Sequence, residues 1–328
     1  MITNTTMLYL YVETPLHAGV GSGLSSIDLP IQRERTTQYP MIQGSGIKGK
    51  LRATAQEMED RKQAPFDKDD NLVAIMFGPE NGSEHAGALI AGDARILLFP
   101  VRSLNGVFAY TTSYDVLYRF MRDMNRGNAS LKWKLPEGEP PEHSVHITKE
   151  PKSRVAVNDR VVLEEFSFDA KPESVVDEIA SWLANFALPK TDEYSYWQAK
   201  VKDSLVILPE EDFRDFVVNT TEIITRISID REKKTAAGQA LWTEEHLPTD
   251  TLLYVPIYAT NARKIKEVNN EKVPEMLAAD ILDKAAQLGN SQKSYLQLGG
   301  DETVGRGMVR MRWGNNTKKE NSDDTTTK

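Results

Sequence analysis

The passage from His17 to Arg52, HAGVGSGLSSIDLPIQRERTTQYPMIQGSGIKGKLR, constrains this chain more than any other stretch. It follows MLYLYVE (Met7 to Glu13), whose large, β-branched and aromatic residues over a strand-like length predict the first strand of a sheet, stopped by Thr14-Pro15. It leads into GSGIKGKLRATAQEME, where a turn feeds a helix, with Ser45 a predicted N-cap and Leu51 on an apolar stripe with Ile47 and Thr54. A long glycine-rich loop is therefore pinned between a strand and a helix. His17 stands at the strand exit, where rigid elements position binding groups. Asp28 is a lone carboxylate between Ile27 and Leu29-Pro30, and reads either as a held functional group or as a turn former.

Charge singles out the same passage. From Gln32 to Arg52 the cations Arg33, Arg35, Lys48, Lys50 and Arg52 face the single anion Glu34, although the whole chain carries −8. Such a patch at a helix N-terminus fits an anionic partner such as a phosphate backbone. On charge pattern alone, a solvated basic helix is the commoner outcome. With 40% hydrophobic and 27% charged residues, the composition is that of a globular chain. There is no run of apolar residues long enough for a membrane helix, and the start lacks the basic region of a signal peptide, so the expected place is the cytoplasm, without membrane partners. Zero cysteines exclude disulfides, thiolate metal sites and cysteine nucleophiles.

Further along, Leu72 to Phe77 predicts a short apolar helix and Gly87 to Phe99 a strand. ARILLFPV and GVFAYTT predict strands about a turn at Leu104-Asn105-Gly106, and Ser113 caps an amphipathic helix. Phe108, Tyr110, Tyr114, Tyr118 and Arg119 could stack bases, but core and helix-face roles are the commoner outcome. Asn125 to Arg160, with Pro136, Pro140 and Pro141, predicts little regular structure; His143 and His146 are three apart there, and no zinc site is assigned. Val161 to Phe168 predicts a strand, Pro172 to Phe186 and Glu210 to Val218 helices. TRISID and TLLYVPIY predict strands around a polar arm with Arg231, Lys233 and Lys234, and the adjacent acids Glu244 and Glu245 read as a solvated strand edge. Arg263 to Leu288 has a helical pattern. Gly300 and Gly305 bracket four residues as in a P-loop, but Arg306 and Gly307 replace the required Lys and Ser or Thr, and the strand-like MVRMRW follows, which argues against an NTPase. Glycines there permit close approach of a phosphate backbone, with Arg306 supplying charge. Residues 314–328, GNNTKKENSDDTTTK, predict a disordered tail.

H-x-G with following glycines, IDLPIQRE, YP-x-I-x-GSGIKGKLR, HAGALIAGDARILLFPV, TRISID with L-x-x-E-E-x-LP, and LGGDETVGRG together resemble the RAMP superfamily of CRISPR effector proteins. Within it the likeness is to the repeated backbone, or fourth, subunit of type III-B (Cmr) complexes. IDLPIQRE is the part most specific to that subunit, and His246 stands where the pattern often has an aromatic. The resemblance implies an α+β fold: a modified RRM-like (ferredoxin-like) palm, with large insertions forming fingers and thumb, in a single RAMP domain over residues 1–313. It implies copies assembling in a helical filament along a CRISPR guide RNA, beside other Cmr subunits. It also implies cleavage of a complementary single-stranded target RNA at regular intervals, dependent on a divalent metal, Mg²⁺ by expectation, with Asp28 the matching key residue and metal holder. Around it, His17 and Glu244 are further catalytic candidates, and Gly44, Ser45, Lys48, Lys50, Arg52, Gly300 and Arg306 the RNA-binding ones. A non-catalytic guide-RNA scaffold is the competing reading, and a guide-processing endonuclease a third.

Overall fold

The computed structural model describes residues 2, 4–23, 26–67, 71–80, 85–126, 131, 133–136, 138–229, 232–233, 236–268, 270–289 and 294–314. The first strand, β1 (Asn4–Val12), is buried from Thr6 onward. A long loop then reaches the short β2 (Met41–Ile42), and α1 (Gly44–Asp60) starts at once. This helix buries Ile47, Leu51, Ala55 and Met58, one stripe at helical spacing. Its N-cap is Gln43, not the expected Ser45, which lies exposed one residue inside the helix. The reason is tertiary. The Gly44 N–H donates to Asp93 Oδ1 at 2.8 Å, so a distant carboxylate serves the helix start. A Cβ at Gly44 would sit 2.5 Å from the Ala91 carbonyl oxygen, so only glycine lets the two backbones approach.

Next come α2 (Leu72–Phe77), β3 (Leu89–Ala91), β4 (Ala94–Arg102) and β5 (Phe108–Ser113); the single strand expected over Gly87 to Phe99 is split into β3 and β4, because at Gly92 and Asp93 the chain turns to serve Pro256 and the start of α1. Ser113 Oγ accepts the Val116 N–H at 3.4 Å and opens α3 (Tyr114–Arg126). Tyr110 and Tyr114 are buried and Phe108 packs against the core, whereas Tyr118 is exposed. The proline-containing stretch up to Arg160 holds more structure than its sequence predicts, in β6 (Ser144–Ile147) and β7 (Ala156–Val157). Val161 to Phe168 is not one strand but a hairpin, β8 (Arg160–Leu163) and β9 (Phe166–Pro172), turned at Glu164 with φ 50°. Then follow α4 (Ser174–Phe186), α5 (Ser195–Ser204), β10 (Leu205–Leu208) and α6 (Glu210–Asn219).

The hairpin β11 (Glu222–Ile229) and β12 (Ala236–His246) precedes β13 (Leu252–Ala259). Of the basic arm residues, Arg231 and Lys234 lie outside the described residues. The single helix expected from Arg263 to Leu288 is instead a hairpin, β14 (Ile265–Val268) and β15 (Glu271–Pro274), followed by α7 (Ala278–Ala286). Pro274 cannot supply a helical N–H, and Asn270 turns the chain at φ 63°. β16 (Tyr295–Gln297), a glycine loop and β17 (Met308–Trp313) complete the order; of the expected tail, 314–328, Gly314 is instead tied to β1 by its N–H to the Met7 carbonyl at 2.7 Å, and residues 315–328 lie outside the described residues.

Among the described residues thirteen strands build one mixed sheet, ordered β16-β17-β1-β13-β4-β5-β10-β6-β9-β8-β7, with β2 on β4 and β3 on β13. The pairs β5/β10 and β6/β9 are parallel and the rest antiparallel. The first strand thus lies between the last strand and β13. Over this centre Tyr9, Phe120, Trp182 and Tyr254 pack with ring centroids 5.1 to 6.4 Å apart, which fixes α3 and α4 on the sheet. No helix among the described residues is long and apolar enough to cross a membrane.

Candidate functional site

Residues 16–23 and 26–33 run back along β12 as a strap. Leu16 pairs with Leu247 in antiparallel sense, and Leu29 with Glu244 in parallel sense. Leu29 N–H donates to the Thr243 carbonyl, and Glu245 N–H to the Leu29 carbonyl, both at 3.0 Å. In between, the strap doubles back on itself: Gly19 bridges Ile31, and Gly23 N–H donates to the Asp28 carbonyl. Two residues of an irregular loop therefore meet one regular strand, which no spacing rule predicts.

Asp28 is exposed, yet its direction is fixed. Its Oδ2 accepts the Thr243 N–H at 2.8 Å and the Thr243 hydroxyl at 2.9 Å, and its own N–H approaches Thr243 Oγ1 at 3.0 Å. These bonds to Thr243, the backbone one first, stabilise the charged form and hold the carboxyl below the usual range. His17 joins the same strand two residues further on, with Nδ1 2.7 Å from the Glu245 carbonyl oxygen, roughly 7 Å along β12 from Thr243. A carbonyl only accepts, so Nδ1 carries the proton of this contact and Nε2 is the ring nitrogen left for other partners. A Cβ on Gly19 would come within 2.5 Å of that Nε2; glycine keeps the nitrogen open.

Along β12, Thr243 and Glu245 share one face, and Trp242, Glu244 and His246 the other. The expected solvated edge of Glu244 and Glu245 is buried, at 4% and 2% exposed, and His246 beside them at 1%. The strap and the glycine loop cover them, and only the fold brings these there. Glu245 anchors the strap: its carboxylate accepts the Ile31 N–H at 3.0 Å and the Thr221 hydroxyl at 2.8 Å, and pairs with Arg33. Glu244 accepts Arg226 Nη1 at 2.9 Å and the Trp242 indole N–H at 2.7 Å. The same Arg226 nitrogen reaches Asp301 Oδ1 at 2.7 Å. Burial pushes the Asp301 carboxyl up, but the Arg226 and Glu244 contacts outweigh it and leave it below the usual range. His246 stacks obliquely near His17, with centroids 5.3 Å apart. Burial first, then the neighbouring His17 and Arg306, lower its pKa, against the opposite pull of Glu244 and Asp301.

An open groove of about 460 Å³ lies alongside, lined by Gly19, Gly46, Gly49, Lys50, Gly299 and Gly300 among others. Gly300 N–H donates to the His17 carbonyl at 2.9 Å and so ties the groove to the strap. Lys50 and Gly300, both sequence candidates, share this groove. Lys48 and Arg52 form a neighbouring basic face with Arg263; burial, then these two cations, lowers the Lys48 pKa. Arg306 acts on Glu222 and His246, at the base of the β11–β12 hairpin. Gly44 is packed against residues 91 and 92. Sequence reasoning missed Thr243, Arg226 and Asp301. For Asp301 the available signal was an acid directly after Gly299-Gly300; for the other two there was none.

Comparison with known proteins gives a consistent set of likenesses. The chain matches the RAMP superfamily over residues 9–310. It is 37% identical over 311 residues to the CRISPR system Cmr endoribonuclease Cmr4 of Pyrococcus furiosus, covering 92% of this chain and 93% of that protein. The structure resembles the oligomeric Cmr4 crystal structure from Pyrococcus furiosus, with a TM-score of 0.68 and 29% identity over 95% of this chain and 99% of that one. In fold alone it also resembles a chain of the type III-B Cmr-beta complex bound to cognate target RNA, solved by cryo-electron microscopy, at a TM-score of 0.64 and 20% identity over 95% of this chain and 98% of that one.

Proposed function

Because this chain belongs to the RAMP superfamily, we propose that it is the repeated backbone subunit of a type III-B CRISPR ribonucleoprotein. In this reading it acts in the cytoplasm, binds guide RNA, assembles with further copies of itself and other Cmr subunits, and cuts complementary target RNA at regular intervals. The large sheet serves as the modified RRM-like palm of one domain over residues 1–313, and hairpins such as β11–β12 serve among the fingers and thumb. Base pairing between guide and target supplies sequence specificity, so the protein need only grip backbone and shape. The groove with Lys50, Gly49 and Gly300 suits that task, since glycines admit a phosphate backbone closely and Lys50 brings charge. Lys48, Arg52 and Arg306 extend the positive field around it, and Ser45 is exposed on the first turn of α1.

The observation that carries the nuclease assignment is Asp28: an exposed carboxylate held ionised and fixed in direction by Thr243, on the strand that also holds His17 and Glu244. A bend in the target would expose one phosphodiester to in-line attack by its own 2′-OH. Asp28 accepts that hydroxyl's proton as the 2′-oxygen bonds to phosphorus, and His17, carrying at Nε2 a proton taken up from solvent, gives it to the leaving 5′-oxygen as the P–O bond breaks. Asp28 offers only oxygens at an exposed rim, which fits a hydrated Mg²⁺ sharing its shell with water and RNA phosphate. Such an ion would supply charge stabilisation at the reacting phosphate. Glu244, the weaker catalytic candidate, is buried and paired with Arg226 at 2.9 Å.

The test is cleavage of labelled complementary RNA by the reconstituted complex carrying Asp28→Ala, in Mg²⁺ and in EDTA, with binding of the same RNA measured in parallel. We expect cutting to be lost at every interval while binding is unchanged. Undiminished metal-dependent cutting at the same spacing would reject the assignment and leave a scaffold.

A further inference from the structure

On the face of β12 turned away from Thr243, Glu244 and His246 meet Asp301, which the glycine loop delivers at φ 62°. One ligand atom from each lies within 4.8 Å of the others. His246 is buried, and neither of its ring nitrogens has a hydrogen-bond partner. Buried polar atoms are almost always satisfied, so a bare imidazole needs an explanation. Its Nε2 stands 3.7 Å from Asp301 Oδ2 and 3.9 Å from Glu244 Oε2, too far for hydrogen bonds. Two metal–ligand bonds of about 2.1 Å meeting at a tetrahedral angle span roughly 3.4 Å, so a small inward movement would close these gaps around an ion.

We propose that Glu244, His246 and Asp301 form a binding site for a divalent first-row transition ion, with Arg226 as its internal competitor. The donor set selects the ion class. Imidazole nitrogen with two carboxylates suits Mn²⁺ or Zn²⁺, whereas Mg²⁺ prefers an all-oxygen octahedral shell that keeps several waters. Arg226 answers the charge question. Without an ion, its guanidinium bridges the two carboxylates, while Asp301 Oδ2 is left facing His246. Arg226 is about one-third exposed, at 30%, so it can swing outward as an ion enters. Arg306 also faces His246 and opposes the ion, which sets a modest affinity. The site is separate from the Asp28 carboxylate. Any part the ion plays in cutting rests on the nuclease reading above, but its binding does not.

The experiment is titration of the full-length chain, freed of nucleic acid and metal, with Mn²⁺, reading the free ion by electron paramagnetic resonance. Zn²⁺ and Mg²⁺ serve as competitors, and circular dichroism checks each variant's fold. We expect one Mn²⁺ per chain, displaced by Zn²⁺ and not by an equal concentration of Mg²⁺. His246→Phe and the isosteric Asp301→Asn should each weaken binding by about tenfold or more, and Arg226→Gln should tighten it several-fold. Asp28→Ala should bind Mn²⁺ as the parent does, so that failure of the nuclease reading and failure of this site are separate results. Absent stoichiometric binding of Mn²⁺ or Zn²⁺, or binding indifferent to both His246→Phe and Asp301→Asn, would overturn the site. Binding lost in Asp28→Ala would overturn its separateness, and an unchanged affinity in Arg226→Gln would overturn the competitor role.

Discussion

Thr243 and Glu245 show how much a site depends on residues that never touch a substrate. Thr243 aims Asp28 through two donors on one oxygen, the backbone N–H and the hydroxyl. Thr243→Val deletes the hydroxyl bond to Oδ2 together with the acceptor of the Asp28 N–H, and keeps the backbone bond. A hydrogen bond to a charged group is worth about 1.5 kcal/mol, so cutting by the assembled complex should fall roughly tenfold while target RNA binding holds. Single-turnover cleavage beside a binding assay separates the two. Glu245 has a different task, fastening the strap from inside. Glu245→Ala strands Arg33, the Ile31 N–H and the Thr221 hydroxyl, and should cost about 3 kcal/mol or more, measured by urea unfolding. Glu244→Gln, in contrast, keeps the shape of a side chain whose partners can still donate to it. The sequence shows two adjacent acids before Leu247-Pro248 and cannot tell them apart; their opposite faces on β12 do.

At the scale of elements, local pattern worked where an element owes its existence to its own sequence. β1, α2, α3, α4 and α6 follow their alternation, helical stripes and caps closely. It failed where a distant partner decides. β6 lies between β10 and β9, and β14–β15 pair with each other through a register that the helical spacing of Val273 and Met276 conceals. The start of α1 belongs to the second kind, since Asp93 satisfies it and the backbone of residues 91 and 92 crowds it. Gly44→Ala should therefore destabilise the protein by about 1 to 3 kcal/mol, although alanine is the better helix former, because the crowding atoms are backbone. Thermal unfolding checks this; an unchanged melting temperature would mean that the Ala91–Gly92 turn gives way freely.

For the whole molecule, the central fact is that one sheet carries both ends of the described chain, β1 beside β17, and that the strap leaving β1 and the glycine loop entering β17 close over β12 from two sides. The groove between that loop and α1 is thus a product of topology. If it grips RNA backbone, Lys50→Ala should weaken guide binding about equally for unrelated sequences and reduce the slope of log affinity against log salt by about 0.7. Filter binding from low to high salt reads this directly, and a loss confined to some sequences would contradict backbone recognition. The class of fold came from the likeness of whole motifs to the RAMP superfamily; the residues themselves marked the strand before the loop, the basic approach to α1, and His17, Asp28 and the glycine loop as places of interest. Those are local properties: alternation, charge and conformational freedom are written in consecutive residues. Tertiary structure alone decided that Asp28 leans on Thr243, that Glu244 and Glu245 part ways, and that Asp301 joins His246. Each of these contacts spans tens to hundreds of residues of chain, and burial, which gives them their strength, exists only once the chain is closed.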